Sequence, residues 1–282
     1  MSIVVNDLKY TYFSKTPSAK QAISGISCEI EKGSFVAFVG ETGSGKSTLM
    51  QCLNHLLIPS EGSIAVDDIN IRAKKKDRKI NKNLRKKVGF VFQFPEYQLF
   101  DETVIKDVCY GPINFGFTKE EALEKAKKAL TEMGIDETFY DRSPFELSGG
   151  EKKRVATAGI LASEPEIIIF DEPTVGMDPH RREQVVNLLK RLNKEGKTII
   201  LVSHDMDLVL ECADKVYVLQ DGLIKFDGKP YELFSMDDNY GIESPKVFKF
   251  AKTLNKKGFN IDLKNIKTVD SLVEEIGRKK NG

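Results

Sequence analysis

The sequence predicts an α/β fold on a mostly parallel sheet, with an antiparallel β pair ahead of it, a helical subdomain inserted into it and a small helical extension behind it. Three observations carry that prediction. Short continuous apolar runs recur at 35–39, 167–170, 199–202 and 216–219, the pattern of strands covered on both faces. Helical patterns lie between several of these runs, as crossover connections require. Ahead of them, 3–12 and 23–30 alternate apolar with polar residues, the period of strands with one wet face.

In chain order, the first apolar run, Phe35-Val36-Ala37-Phe38-Val39, stops at Gly40. From about 93 to 165 the pattern becomes helical. Thr118 and Glu121 have capping-box spacing, and Leu123, Ala126, Leu130 and Met133 then share one stripe until Gly134 ends the helix. Asp178 as N-cap and Pro179 as first residue open another helix, carrying Val185, Leu188 and Leu192 to a stop at Gly196. Beyond 228 the chain is lysine-rich, with two short helices expected around 245–254 and 268–276. The expected division is a domain at 1–227, containing the helical subdomain at about 93–165, and an accessory segment at 228–282.

A chain of 282 residues that is 40% hydrophobic can bury a full core. Lys+Arg 43 against Asp+Glu 42 leaves a net charge of +1, without the basic excess of a general nucleic-acid binder, so no nucleic-acid partner is expected. Cys28, Cys52, Cys109 and Cys212 fit neither a metal-ligand spacing nor a disulfide framework, which suits a reducing cytosol. No leader pattern opens the sequence, and no run approaches the ~20 apolar residues of a membrane span, so service to a membrane is expected through docking. The basic stretches 72–79 and 85–87 read as solvated surface, with contact to anionic lipid headgroups as the alternative.

The segment Gly40-Glu41-Thr42-Gly43-Ser44-Gly45-Lys46-Ser47 fits G-x-x-x-x-G-K-[ST] directly after a buried strand and ahead of a helix beginning Thr48-Leu49. Glycines let backbone N–H groups close around phosphates, and the helix N-terminus adds a positive dipole end. Lys46 is expected to neutralise the β- and γ-phosphates of ATP, and Ser47 to offer its hydroxyl to Mg²⁺. Asp171 and Glu172 end a buried strand, where a carboxylate has little reason to stand unless it meets a cation or a hydrogen-bond network. Asp171 is therefore assigned to Mg²⁺, and Glu172 to general-base work on the attacking water. His204, after the neighbouring strand, is placed near the γ-phosphate.

Between the phosphate loop and the Asp-Glu strand stands Leu147-Ser148-Gly149-Gly150-Glu151, and with it the chain resembles the ABC (ATP-binding cassette) ATPases across nearly all of 1–227. The resemblance implies a P-loop ATPase core working as a head-to-tail dimer, in which Ser148, Gly149 and Gly150 of one subunit contact the ATP on the other. It further implies Gln93 as a residue that contacts Mg²⁺ and reports to a membrane partner, and Val175-Gly176-Met177-Asp178 as a loop crossing the interface, with Met177 where leucine is common. Tyr12 sits where the family stacks an aromatic on adenine; Tyr10 is the neighbouring candidate, and a core role remains open to either ring.

Two stretches, Phe92-Gln93-Phe94-Pro95-Glu96-Tyr97-Gln98-Leu99-Phe100 and Asp141-Arg142-Ser143-Pro144-Phe145-Glu146-Leu147, together with 243–276, are similar to the ATPase subunits of energy-coupling factor (ECF) transporters, specifically the second (A-prime) type. Such transporters import vitamins and some metal ions in prokaryotes. The resemblance implies a paralogous ATPase as dimer partner, with a homodimer left open, and a transmembrane coupling protein docking near Gln93 to Asp101. A small substrate-binding membrane protein completes the implied complex at the cytoplasmic face of the cell membrane. The alternatives are another ABC importer, a soluble ABC protein of translation or repair, and a non-hydrolysing regulatory subunit. A single cassette without sustained heptads argues against the soluble protein, and intact Glu172 and His204 against the regulatory one.

Overall fold

The computed structural model describes residues 3–73 and 78–280, with backbone alone for 78–81 and 279–280. Residues 74–77 of the basic run at 72–79 lie outside the described residues. The chain opens with β1 (Ile3–Tyr12), β2 (Lys20–Ile30) and β3 (Phe35–Val39), followed by α1 (Lys46–Leu53), β4 (Glu61–Val66) and β5 (Ile69–Arg72). Next come α2 (Arg78–Lys87), β6 (Val88–Val91), α3 (Val104–Asn114), α4 (Lys119–Glu132) and α5 (Gly149–Leu161). The sheet resumes with β7 (Ile167–Asp171), α6 (Pro179–Lys194), β8 (Thr198–Val202), α7 (Met206–Cys212), β9 (Lys215–Gln220) and β10 (Leu223–Gly228). Three helices follow, α8 (Pro230–Ser235), α9 (Lys246–Lys256) and α10 (Val269–Lys280).

Two sheets result. A six-stranded sheet in the order β10-β9-β3-β8-β7-β6 is parallel except where β10 returns along β9. A four-stranded antiparallel sheet, β2-β1-β4-β5, forms the N-terminal layer. The period of two along a strand divides the core. Phe35, Ala37 and Val39 of β3 face a cluster shared with the helical insert, whereas Val36 and Phe38 face one shared with α1 and the antiparallel sheet. β7, β8 and β9 split in the same way, for example Ile168 and Phe170 to the first cluster and Ile167 and Ile169 to the second.

The capping box is present: Thr118 N donates to Glu121 at 2.8 Å and Glu121 N to Thr118 Oγ1 at 3.2 Å. The buried stripe of α4 is Ala122, Ala126, Ala129 and Leu130; Leu123 faces solvent, so the stripe is rotated from the one expected. Small alanines let α4 approach α3 and α5 closely, and Gly134 leaves the helix at φ +68°. Asp178 caps α6 by accepting from Arg181 N at 2.9 Å, but the fully buried positions are Val186, Leu189 and Leu192. Val185 and Leu188 are only partly buried. The alternation pattern did not reveal β4, β5, β6, β10, α2 or α8.

The C-terminal helices share the main core. Leu233, Phe234, Phe248, Ala251, Ile266 and Leu272 belong to the same buried cluster as Phe35 and Ile168. Lys252 Nζ donates to the Phe234 and Ser235 carbonyls at 3.3 Å, and buried Glu275 accepts from Asn265 Nδ2 at 3.4 Å. No helix among the described residues is long and apolar enough to cross a membrane. Phe248→Ala is expected to destabilise the whole chain by about 3–5 kcal/mol in one cooperative chemical-denaturation transition; a separate early transition would show that the extension has its own core.

Candidate active site

Three adjacent strands end at one place. The sheet order sets β3 beside β8 and β8 beside β7, so the loop after β3, the Asp171-Glu172 pair ending β7 and His204 beyond β8 meet at their carboxyl ends, where open α/β sheets bind ligands. The β3 loop needs its glycines. Gly40 and Gly45 have φ of +145° and +104°, and a Cβ on either would strike a backbone carbonyl, of Leu219 or Ala22 respectively. Glu41, Thr42, Gly43 and Ser47 are exposed along the loop, while Ser44, Lys46 and Thr48 are buried.

The Lys46 ammonium donates to Gly40 O at 2.7 Å, Glu41 O at 2.9 Å and Ser44 Oγ at 3.4 Å. Burial lowers its pKa, and the Glu172 and Asp171 charges oppose that shift. Burial likewise raises Asp171, against the pull of the Ser47 hydroxyl and Lys46. Glu172 is pushed up to about 7, chiefly by burial, with the His204 backbone N–H the largest opposing influence. These charged groups are held together by mutual need.

Glu172 is positioned by backbone. Its N–H donates to Val202 O at 2.9 Å, extending the β7–β8 ladder by one residue, and its φ of +51° places it in the left-handed region, a strained conformation concentrated at functional sites. Oε2 accepts from His204 N at 3.2 Å. Oε1 is buried without a hydrogen-bond partner, with His204 Nε2 at 3.5 Å. Burial and the Lys46 charge lower the His204 pKa, so at neutral pH this contact is not an ion pair.

Tyr12 Oη lies 3.1 Å from Thr48 Oγ1 at the start of α1. Tyr10 instead packs partly buried against the second core cluster, which leaves Tyr12 as the ring beside the phosphate loop. Ser148 caps α5: Glu151 N donates to its hydroxyl at 3.4 Å, and Ser148 N donates to Glu151 at 2.8 Å. A Cβ on Gly149 would meet nothing within 4 Å. Gly149 and Gly150 line a cleft of about 870 Å³ together with Gln93, Phe170, Gly176, Met177 and Arg181. The phosphate loop is not among its walls, so the site expected within one chain and the signature expected to act on another chain are separate features here.

Asp171 and Ser47 together provide hard oxygen donors, and Asp171 is a carboxylate whose burial a cation would offset. That donor set fits Mg²⁺ completed by phosphate and water oxygens; the structure contains no cluster of three His, Cys, Asp or Glu side chains among the described residues. The sequence motifs did not identify Arg182 and Asp205, which are joined beside His204 by contacts of 2.7 and 3.3 Å. Asp205 directly follows His204, but only the fold brings Arg182 to it.

Fold and site define a P-loop ATPase of the ABC class, and the ABC transporter family matches residues 23–175. An energy-coupling factor transporter ATP-binding protein EcfA2 of Streptococcus agalactiae is 47% identical over 98% of this chain and 99% of its own. The protein of that name from Clostridium perfringens is 49% identical, covering 93% of this chain and 92% of its own. Among solved structures, CbiO1 of Clostridium perfringens, part of the ABC transporter complex CbiONQ, aligns at TM-score 0.73 with 36% identity over 90% of this chain and 96% of that one. A dimeric ATP-binding cassette bound to ADP and Pi in a post-hydrolysis state aligns at 0.73, with 31% identity, covering 81% of this chain and 98% of that one. The chain belongs to the energy-coupling factor transporter ATP-binding proteins, the second type expected from its motifs, and is an ATPase.

Burial of the Glu172 carboxylate predicts a pH dependence. A carboxyl raised from 4.5 to about 7 favours folding when protonated, and this advantage is lost as pH rises through 7. In nucleotide-free protein with chelator, Glu172→Gln should therefore unfold at a higher temperature than wild type at pH 8. The gap should shrink as pH falls towards 5, and a gap independent of pH would contradict the burial argument.

Proposed function

We propose that the chain is the ATP-hydrolysing subunit of an importer of the energy-coupling factor type, carrying vitamins or other micronutrients, and that it works as half of a head-to-tail dimer at the cytoplasmic face of the cell membrane. The observation that carries the reading is the convergence of Lys46, Asp171, Glu172 and His204 at three adjoining strand ends. On this reading Gly40 to Thr48 cradle the phosphates and Lys46 exchanges its loop carbonyls for phosphate oxygens. Tyr12 packs on adenine.

On this reading Ser47, Asp171 and Gln93 hold Mg²⁺, which when bound neutralises and aligns the phosphates. Glu172 Oε2 is fixed by the His204 N–H, leaving Oε1 free to accept a proton from water poised in line with the γ-phosphate. Neutral His204 donates towards that phosphate. Ser148, Gly149 and Gly150 serve the ATP of the partner subunit, a reading supported by the exposure of Ser148 and Gly149 and by the dimeric state of the ADP-bound relative. Closure on ATP and reopening after hydrolysis then move the docked membrane protein. The dimer partner is a paralogous ATPase, and a small membrane protein carries the substrate.

Exposed aromatics support docking near 93–101. Phe94 and Tyr97 are 46% and 83% exposed, and Phe100, at 56%, packs edge-on with Tyr110, at 52%. Two exposed aromatic pairs of this kind suit amphipathic helices of a membrane-spanning protein.

In the assembled complex, Glu172→Gln should lower ATP turnover by about 10²- to 10⁴-fold while nucleotide still binds; turnover near wild type would reject Glu172 as base. Replacing Tyr97 and Phe100 together by aspartate should remove co-purification with the membrane partner and shift folding stability by less than about 0.5 kcal/mol per site. Intact co-purification would remove the docking assignment.

A further inference from the structure

The segment carrying His204 is only three residues long, between β8 and α7, and each of the three is tied. Ser203 is fully buried, and its Oγ accepts from Asp205 N at 3.0 Å. His204 N holds the Glu172 carboxylate at 3.2 Å. Asp205 caps α7 by accepting from Leu208 N at 3.0 Å, and its carboxylate is gripped from the other side by Arg182 Nε at 2.7 Å and Nη2 at 3.3 Å. A two-point guanidinium contact of this kind fixes orientation as well as distance.

Arg182 stands in the first turn of α6, directly after the loop at 173–178 that departs from Glu172. Glu172, this loop, Arg182, Asp205 and His204 thus form a closed ring that returns to Glu172. Part of the loop, Gly176 and Met177, lines the cleft that also holds Gly149 and Gly150. A second ion pair, Lys190 with Glu211 at 2.7 Å, also joins α6 to α7, but Lys190 stands two turns further along α6, and Glu211 reaches Arg182 through its charge alone.

We infer that Arg182 is a positioning residue for hydrolysis: through Asp205 it sets where the His204 N–H holds the Glu172 carboxylate, so displacement of the loop at 173–178 is felt directly at the base. This rests on Glu172 acting as the base. It adds a route by which events in the signature-lined cleft regulate the chemical step without a ligand touching Glu172. The coupling is mechanical and short, passing through one helical turn and one ion pair.

The test is steady-state ATPase kinetics of the assembled complex carrying Arg182→Met, Arg182→Lys, Lys190→Met or Glu172→Gln. A misplaced base costs turnover rather than ATP binding, so Arg182→Met should lower kcat on the order of 10- to 100-fold with KM for ATP within about twofold of wild type. Arg182→Lys keeps the charge but loses the fork, and should fall between Met and wild type. Lys190→Met should stay within about twofold of wild type. Wild-type kcat in Arg182→Met overturns the inference, as do equal losses in Arg182→Met and Lys190→Met, or a loss that only tracks the folded fraction. If Glu172→Gln itself turns over normally, the general-base reading fails first, a result distinguishable from failure of the ring alone.

Discussion

Charge held out of water at the ends of a parallel sheet governs this molecule. A buried ammonium and two buried or half-buried carboxylates are each costly to ionise alone. Here each is shifted by burial and drawn partly back by the charge of opposite sign, while Asp171 pushes Glu172 further up. The backbone completes the compensation, through loop carbonyls on Lys46 and the His204 amide hydrogen on Glu172. One carboxylate oxygen, Glu172 Oε1, remains without a hydrogen bond. An oxygen so placed keeps its full capacity to accept one further small donor, as the proposed general-base role of Glu172 requires.

The sheet makes that arrangement affordable. Because β3, β7 and β8 are parallel and central, their side chains go alternately to two cores, and their last residues emerge at a common edge. Short turns after each strand leave little freedom. Glu172 even adopts a left-handed backbone to remain in register with Val202, a local cost that the neighbouring ladder bonds offset.

The residues that made the site legible were those whose chemistry depends on local spacing. The phosphate loop, the Asp-Glu strand end and the Ser-Gly-Gly helix start each announce themselves within a few residues, and the strands at 35–39 and 167–170 show as unbroken apolar runs. Tertiary packing decided the rest. The face of α4 could not be read from periodicity, because alanines pack as well as leucine in a tight helix contact, and Leu123 was free to turn outward. Arg182 was invisible for a related reason: an arginine in the first turn of a polar helix is unremarkable until the fold delivers Asp205 to it. The lysine-rich tail looked peripheral in composition, yet its few apolar residues are the ones the main core uses.

That last feature has a consequence for biosynthesis. Ile266 and Leu272 are translated after every strand of both sheets, yet they close the larger apolar cluster. A nascent chain that has already finished its catalytic loop still exposes an unsealed oily flank, and must be shielded until translation reaches the last helix.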